Sequence, residues 1–122
     1  MDDSAAAPGP NLDVQPSTKA GIRILTVRGA LDLSTAPVLS AAIADSLHDP
    51  YTAIVVDLSE LEFLASAGMT VLLEGHGAAG DVGKELGVVA DGPGTSRPIT
   101  MMGVDQVVPL YASLDAALTD LR

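Results

Sequence analysis

Residues 52–69 read Thr52-Ala53-Ile54-Val55-Val56-Asp57-Leu58-Ser59-Glu60-Leu61-Glu62-Phe63-Leu64-Ala65-Ser66-Ala67-Gly68-Met69. Thr52 to Leu58 is a short, nearly continuous apolar run, the pattern of a strand covered on both faces. An acidic turn is expected over Ser59–Glu62. A helix is expected from about Ala67 to Ala79, with Met69, Val71, Leu72 and Leu73 as its apolar positions and Gly75, Gly77 and Gly80 fraying its end. A buried strand followed by a helix is the repeating unit of a parallel sheet.

The flanking residues continue that alternation. Upstream, Leu12, Val14 and Pro16 alternate with Asp13, Gln15 and Ser17, which predicts a strand that Pro16 places at a sheet edge. Lys19-Ala20-Gly21 forms a turn into Ile22-Arg23-Ile24-Leu25-Thr26-Val27-Arg28-Gly29, so residues 12–28 predict a β-hairpin. Val38, Leu39, Ala42, Ile43 and Leu47 recur at helical spacing after a Ser34 or Thr35 cap with Pro37 in the first turn, and Asp49-Pro50 stops that helix. Downstream come a buried strand at Leu86–Ala90, a short helix over Ser96–Met102, a last strand over Gln106–Leu110, and a final helix opened by Ser113 with Leu114, Ala117, Leu118 and Leu121 on one face. The predicted order is β-β-α-β-α-β-α-β-α. It implies an α/β domain with a mixed, mostly parallel sheet, an N-terminal hairpin and about four helices over 12–122, preceded by a disordered tail at 1–11.

Composition narrows the partners. With one Phe, two Tyr and no Trp, the core must be aliphatic. Sixteen acidic and six basic residues give a net charge of −10, which argues against nucleic acid and against an anionic membrane surface. The same charge favours a basic partner or simply solubility. The absence of Cys excludes disulfides and thiolate metal sites. Met1-Asp2-Asp3-Ser4 lacks the basic start of a signal peptide, and no apolar run reaches the roughly 18 residues of a spanning helix, so a cytoplasmic location is expected.

Ser66 is the chemical focus. It follows a buried strand and opens a helix, at the sheet edge where parallel sheets meet ligands and partners. From the residues alone it is either an N-cap or an accessible hydroxyl at the positive end of a helix dipole, where small neighbours (Ala65, Ala67, Gly68) allow another protein to approach.

The segment Phe63-Leu64-Ala65-Ser66-Ala67-Gly68-Met69 resembles the phosphorylation loop of anti-sigma factor antagonists of the STAS family. Gly29-Ala30-Leu31-Asp32-Leu33-Ser34-Thr35 resembles the family's Gly-Glu-Leu-Asp-x-x-Thr element, and Gly103 to Tyr111 with Ser113 to Leu118 resembles its C-terminal strand and helix. The resemblance spans about residues 12–121. It implies a non-enzymatic partner switch with Ser66 as phosphoacceptor, the residue two places before the Gly. It also implies Asp32, Ser34, Thr35, Ala65, Ala67, Gly68 and Met69 at the partner surface. The implied partners are an anti-sigma factor with a histidine-kinase-like ATPase fold, acting as Ser kinase, and a PP2C-type phosphatase. No cofactor is implied. Ala65 departs from the Asp common before the acceptor, and Ala67 removes the loop's second hydroxyl. A STAS-type module sensing a nucleotide or small ligand is the alternative, and a hydrolase using Ser66 the third.

Other motifs fail on context. Gly75-His76-Gly77-Ala78-Ala79-Gly80 matches G-x-G-x-x-G, but a helix precedes it where a dinucleotide site needs a strand. A serine-hydrolase elbow would need Gly at position 64, which is Leu. His48 and His76 read as solvated residues near helix ends. Asp57, Glu60 and Glu62 lack the company of a metal site, and Met101-Met102 reads as core filler or an interface patch.

Overall fold

A computed structural model describes residues 11–48 and 50–122. The tail expected over 1–11 lies outside these residues apart from Asn11, and so does Asp49 of the expected Asp49-Pro50 stop. The elements are β1 (Leu12–Lys19), β2 (Ile22–Leu31), α1 (Ala36–Ser46), β3 (Ala53–Leu64), α2 (Ser66–Asp81), β4 (Glu85–Val89), α3 (Ser96–Met101), a 3₁₀ turn (Val104–Gln106), β5 (Leu110–Tyr111) and α4 (Leu114–Leu121). They form one five-stranded sheet in the order β1-β2-β3-β4-β5, antiparallel between β1 and β2 and parallel elsewhere. The predicted α/β class, hairpin and alternation therefore hold.

The central run of β3 is covered on both sides, as its composition requires. Ile54, Val56 and Leu58 pack with Leu39 and Ile43 of α1 and Leu72 of α2. Ala53 and Val55 join Ile22, Ile24 and Val89 in a second, smaller cluster closed by Ala117 and Leu118 of α4. Ser113 caps α4 by accepting a hydrogen bond from the Ala116 N–H at 3.1 Å.

Three expectations are corrected. The stretch read as an acidic turn is strand: β3 runs on to Leu64 alongside β2 after β4 has stopped pairing at Asp57. Two register shifts against β2, between Asp57 and Glu60 and between Leu61 and Phe63, add residues to β3. They turn Leu58, Leu61 and Leu64 toward the core while Ser59, Glu60 and Glu62 stay exposed. Second, Gly75, Gly77 and Gly80 do not fray α2, which continues to Asp81. Its end is set by Gly83 at φ +76, with Gly83 N–H donating to Gly80 O at 3.1 Å and Lys84 N–H to Ala79 O at 2.8 Å, the paired bonds of a Schellman motif. The G-x-G-x-x-G match thus lies wholly inside a helix. Third, the last strand is Leu110–Tyr111 and not Gln106–Leu110. Gln106 closes a 3₁₀ turn, and Pro109 has no N–H for a ladder, although its carbonyl accepts from Val88 N–H at 2.9 Å.

Two side-chain readings also change. His76 is half-buried, with its Nδ1 shielded and without a hydrogen-bond partner. Met101 and Met102 are exposed, which removes the core-filler reading.

Tyr111 ties α4 to the sheet. Its hydroxyl donates to the Asp120 carboxylate, and its ring lies where a Cβ on Gly87 would come within 2.8 Å of Cε2. Burial first, then the Asp120 hydrogen bond, pushes the phenol up to about 12. An ordinary tyrosine titrates near 10, so the folded state holds this proton more tightly than the unfolded chain. The associated stability is complete below about pH 10 and is lost as the pH rises toward 12. Denaturant midpoints measured at about pH 9 and about pH 11.5 should fall more for the parent chain than for Tyr111→Phe.

Candidate functional site

The carboxyl ends of β2 and β3 are held side by side by the register Leu31↔Leu64. Immediately beyond it, the Ala65 N–H donates to Leu31 O at 2.9 Å. That single pairing sets the turn that opens α1 against the turn that opens α2. It brings Asp32, Leu33, Ser34 and Thr35 to the same sheet edge as Ala65, Ser66 and Ala67.

The β2–α1 turn is organised by Asp32. Its Oδ1 accepts from Ser34 Oγ at 2.7 Å, from Ser34 N–H at 3.0 Å and from Thr35 N–H at 3.1 Å. Thr35 is at the N-cap position, yet its side chain does not cap the helix. Its hydroxyl accepts from Asp32 N–H at 2.9 Å and donates to Ala30 O at 2.8 Å, so the residue is a buried brace. No side chain takes the capping role expected of Ser34 or Thr35; the Asp32 carboxylate instead closes its own turn through the Ser34 and Thr35 N–H groups just before α1. The Ser34 hydroxyl foremost, then the Thr35 N–H, holds the Asp32 carboxyl below the usual carboxylate range. It is a fixed negative charge at neutral pH.

At the second turn, Ala65 occupies the extended N-cap position and Ser66 is the first residue of α2. The N-cap reading of Ser66 is thereby corrected. With Ala at the cap there is no side-chain acceptor for the first-turn N–H groups, which lack intrahelical carbonyls. Ser66 is exposed, and its hydroxyl makes no hydrogen bond among the described residues. Its carbonyl accepts from Thr70 Oγ1 at 3.3 Å, an ordinary helical back-bond.

Gly68 and Met69 behave differently from the expectation that they present themselves to a partner. Both are buried. A Cβ on Gly68 would lie 2.7 Å from Leu31 Cγ and 2.8 Å from Leu64 Cδ1, so the glycine lets α2 sit directly on the two strand ends. Gly68, Met69 and Thr35 shape the surface from beneath, while Leu33, Ser34, Phe63 and Ser66 form it. Leu33 at 82% and Phe63 at 55% exposure are the large apolar groups of this edge, and neither belongs to the set of partner residues expected from the motifs. An apolar residue inside an acidic or hydroxyl-rich turn was the available signal.

The acidic cluster disperses. Glu60 is held by Arg28 through two 3.0 Å hydrogen bonds, Asp57 is buried and accepts from Ser59 N–H at 3.0 Å, and Glu62 is exposed. No group of three or more His, Cys, Asp or Glu suited to a metal ion occurs among the described residues. No helix among them is long and apolar enough to cross a membrane.

A family model described as "Mlab, STAS domain" matches residues 16–110. The anti-sigma-F factor antagonist RsfB of Mycobacterium tuberculosis is 42% identical over 102 residues, covering 84% of this chain and 83% of that protein. An anti-sigma F factor antagonist of Paenibacillus polymyxa is 27% identical over 113 residues, covering 92% of this chain and 97% of that protein. The crystal structure of an anti-sigma factor antagonist from Mycobacterium paratuberculosis superposes with a TM-score of 0.85 at 39% identity, covering 93% of this chain and 97% of that one.

Close packing at this edge separates two kinds of glycine in α2. Gly68→Ala should lower the unfolding free energy by about 1–2 kcal/mol, because overpacking against Leu31 and Leu64 outweighs the gain in helix propensity. Gly77→Ala, with open space around the added methyl, should raise it by about 0.5–1 kcal/mol. Urea midpoints of the two variants test the difference in sign.

Proposed function

The chain belongs to the STAS-domain family, and from that premise we propose that it works as an anti-sigma factor antagonist whose binding face is switched off by phosphorylation of Ser66. The observation that carries the switch is the Ser66 hydroxyl itself: exposed, unbonded, first in α2, and beside the Asp32 turn. A phosphoryl group there brings about −1.5 to −2 charges. The first-turn N–H groups of α2 can receive part of that charge. Asp32, ionised at neutral pH, opposes the rest.

In the unphosphorylated state the face combines Leu33, Ser34, Phe63, Ala65, Ser66 and Ala67, small or apolar groups that another protein can cover without stranding a charge. The partner is an anti-sigma factor with a histidine-kinase-like ATPase fold. Binding it releases the sigma factor, and the same partner, as a Ser kinase using ATP and Mg²⁺, transfers the γ-phosphoryl to Ser66. A PP2C-type phosphatase removes it. A dianion in a covered interface is desolvated and meets like charge, and each 1.4 kcal/mol of such cost is about tenfold in affinity. The chain acts as a binding protein in the cytoplasm rather than as an enzyme. The sensor alternative gains no support from the open concavity lined by Asn11, Asp13, Arg28 and Glu62, because its cation, Arg28, is already held in a fork by Glu60.

The cognate anti-sigma factor with ATP and Mg²⁺ should add one phosphate, located by mass spectrometry at Ser66 and lost in Ser66→Ala. In calorimetric titrations Ser66→Ala should keep the parent affinity and Ser66→Glu should bind about tenfold or more weakly. Equal affinity of the two variants, or phosphate on another residue, would sink the switch.

A further inference from the structure

Next to Ser66 the seam between α1 and α2 is open. Leu33, Pro37 and Ser40 on one side and Ala67, Val71 and Glu74 on the other line a groove of about 440 Å³. It continues into a narrower cleft of about 140 Å³ that shares Ser40, Val71 and Glu74 and reaches Leu47 and Ala78. The groove is continuous with the switch face, since Ala67 follows Ser66 and Leu33 lies between Asp32 and Ser34. Its lining is apolar apart from two hydroxyls and one carboxylate, Glu74, and contains no cation. Along α1 the seam is about 16 Å long at 1.5 Å per residue, the length of a helix of two to three turns.

We propose that this groove is the docking site for a short, basic amphipathic helix of the anti-sigma factor. Apolar side chains one turn apart enter between α1 and α2, the mode in which an amphipathic helix fills a groove. Leu33, otherwise almost wholly in water, closes over one end of it. A Lys or Arg of the helix pairs with Glu74, and the charge of −10 on this chain steers the basic segment in. The proposal rests on the antagonist function proposed above and adds to it the part of the partner that is held and where. Docking is thereby split between a switched contact at Ser66 and an unswitched contact along the seam.

The test compares three variants at exposed positions with the parent, using the histidine-kinase-like anti-sigma factor of the same cell in calorimetric titrations and in phosphoryl transfer to Ser66. Ser40→Trp fills the groove and should weaken binding by about tenfold or more. Glu74→Lys reverses its charge and should weaken binding by about three- to tenfold, with a flatter salt dependence and partial rescue by a Lys→Glu or Arg→Glu change in the partner helix. Thr119→Trp, on α4 at the opposite face, should bind as the parent does. If Ser40→Trp fails to fold, Glu74→Lys and its rescue decide the matter. Folded groove variants that bind like the parent, while Ser66→Glu binds weakly, overturn the groove and leave the switch standing. A parent chain that neither binds the anti-sigma factor nor accepts phosphate overturns both.

Discussion

The parallel pairing of β2 with β3 is the constraint on which the rest of the molecule depends. Over Ile22–Thr26 it is a regular ladder in the middle of the sheet. Beyond Asp57 it loses β4 on its far side, and β3 follows β2 alone to Leu31↔Leu64. A strand paired on one side, with one face in water, needs every third residue inward if Leu58, Leu61 and Leu64 are all to reach the core. Two shifts in register supply that spacing. Slipping them would turn Leu64 outward and separate the Asp32 turn from Ser66, because the Ala65 N–H bond to Leu31 O exists only in this register.

Packing around that junction is tight on one side and loose on the other. Burying Leu31 and Leu64 contributes about 1.5–3 kcal/mol each, and Gly68 lets α2 rest on both. Outward of the same junction stand Leu33, Phe63 and the unbonded Ser66 hydroxyl. Close-packed support beneath and unused contact capacity above suit a surface that another protein covers, since the backbone that carries those groups is already fixed by packing.

Much of this was legible in the residues. The apolar run of β3, the alternating hairpin, and the α4 face of Leu114, Ala117, Leu118 and Leu121 follow from periodicity, and all four α4 residues join the second cluster. What escaped did so for identifiable reasons. Leucines at 58, 61 and 64 fit neither the period of a strand nor that of a turn until bulges are allowed. Glycines at 75, 77 and 80 argue against a helix by propensity. A Cβ on Gly75, however, would meet Ile43 and Leu86 at 3.1–3.3 Å, and such tertiary packing overrides propensity. Ser66 reads as a cap because Ser so often is one, and a shift of one residue in the helix start frees its hydroxyl. The glycine before Met69 was legible as part of a motif, but its role in close packing was not, because that depends on where Leu31 and Leu64 lie.

The C-terminal piece hangs on the sheet by different means from the rest. β5 pairs with β4 through only Val88↔Leu110 and Val89↔Tyr111, and α4 closes a cluster separate from the main core. Residues 110–121 are therefore held by less strand pairing than the β1–β2–β3 ribbon, and such a segment is expected to open first. Amide protons of α4 should accordingly exchange before those of Leu31 and Ala65. The far face is thus the less firmly tied part of the fold, while the geometry around Ser66 is anchored by the long β2–β3 ladder.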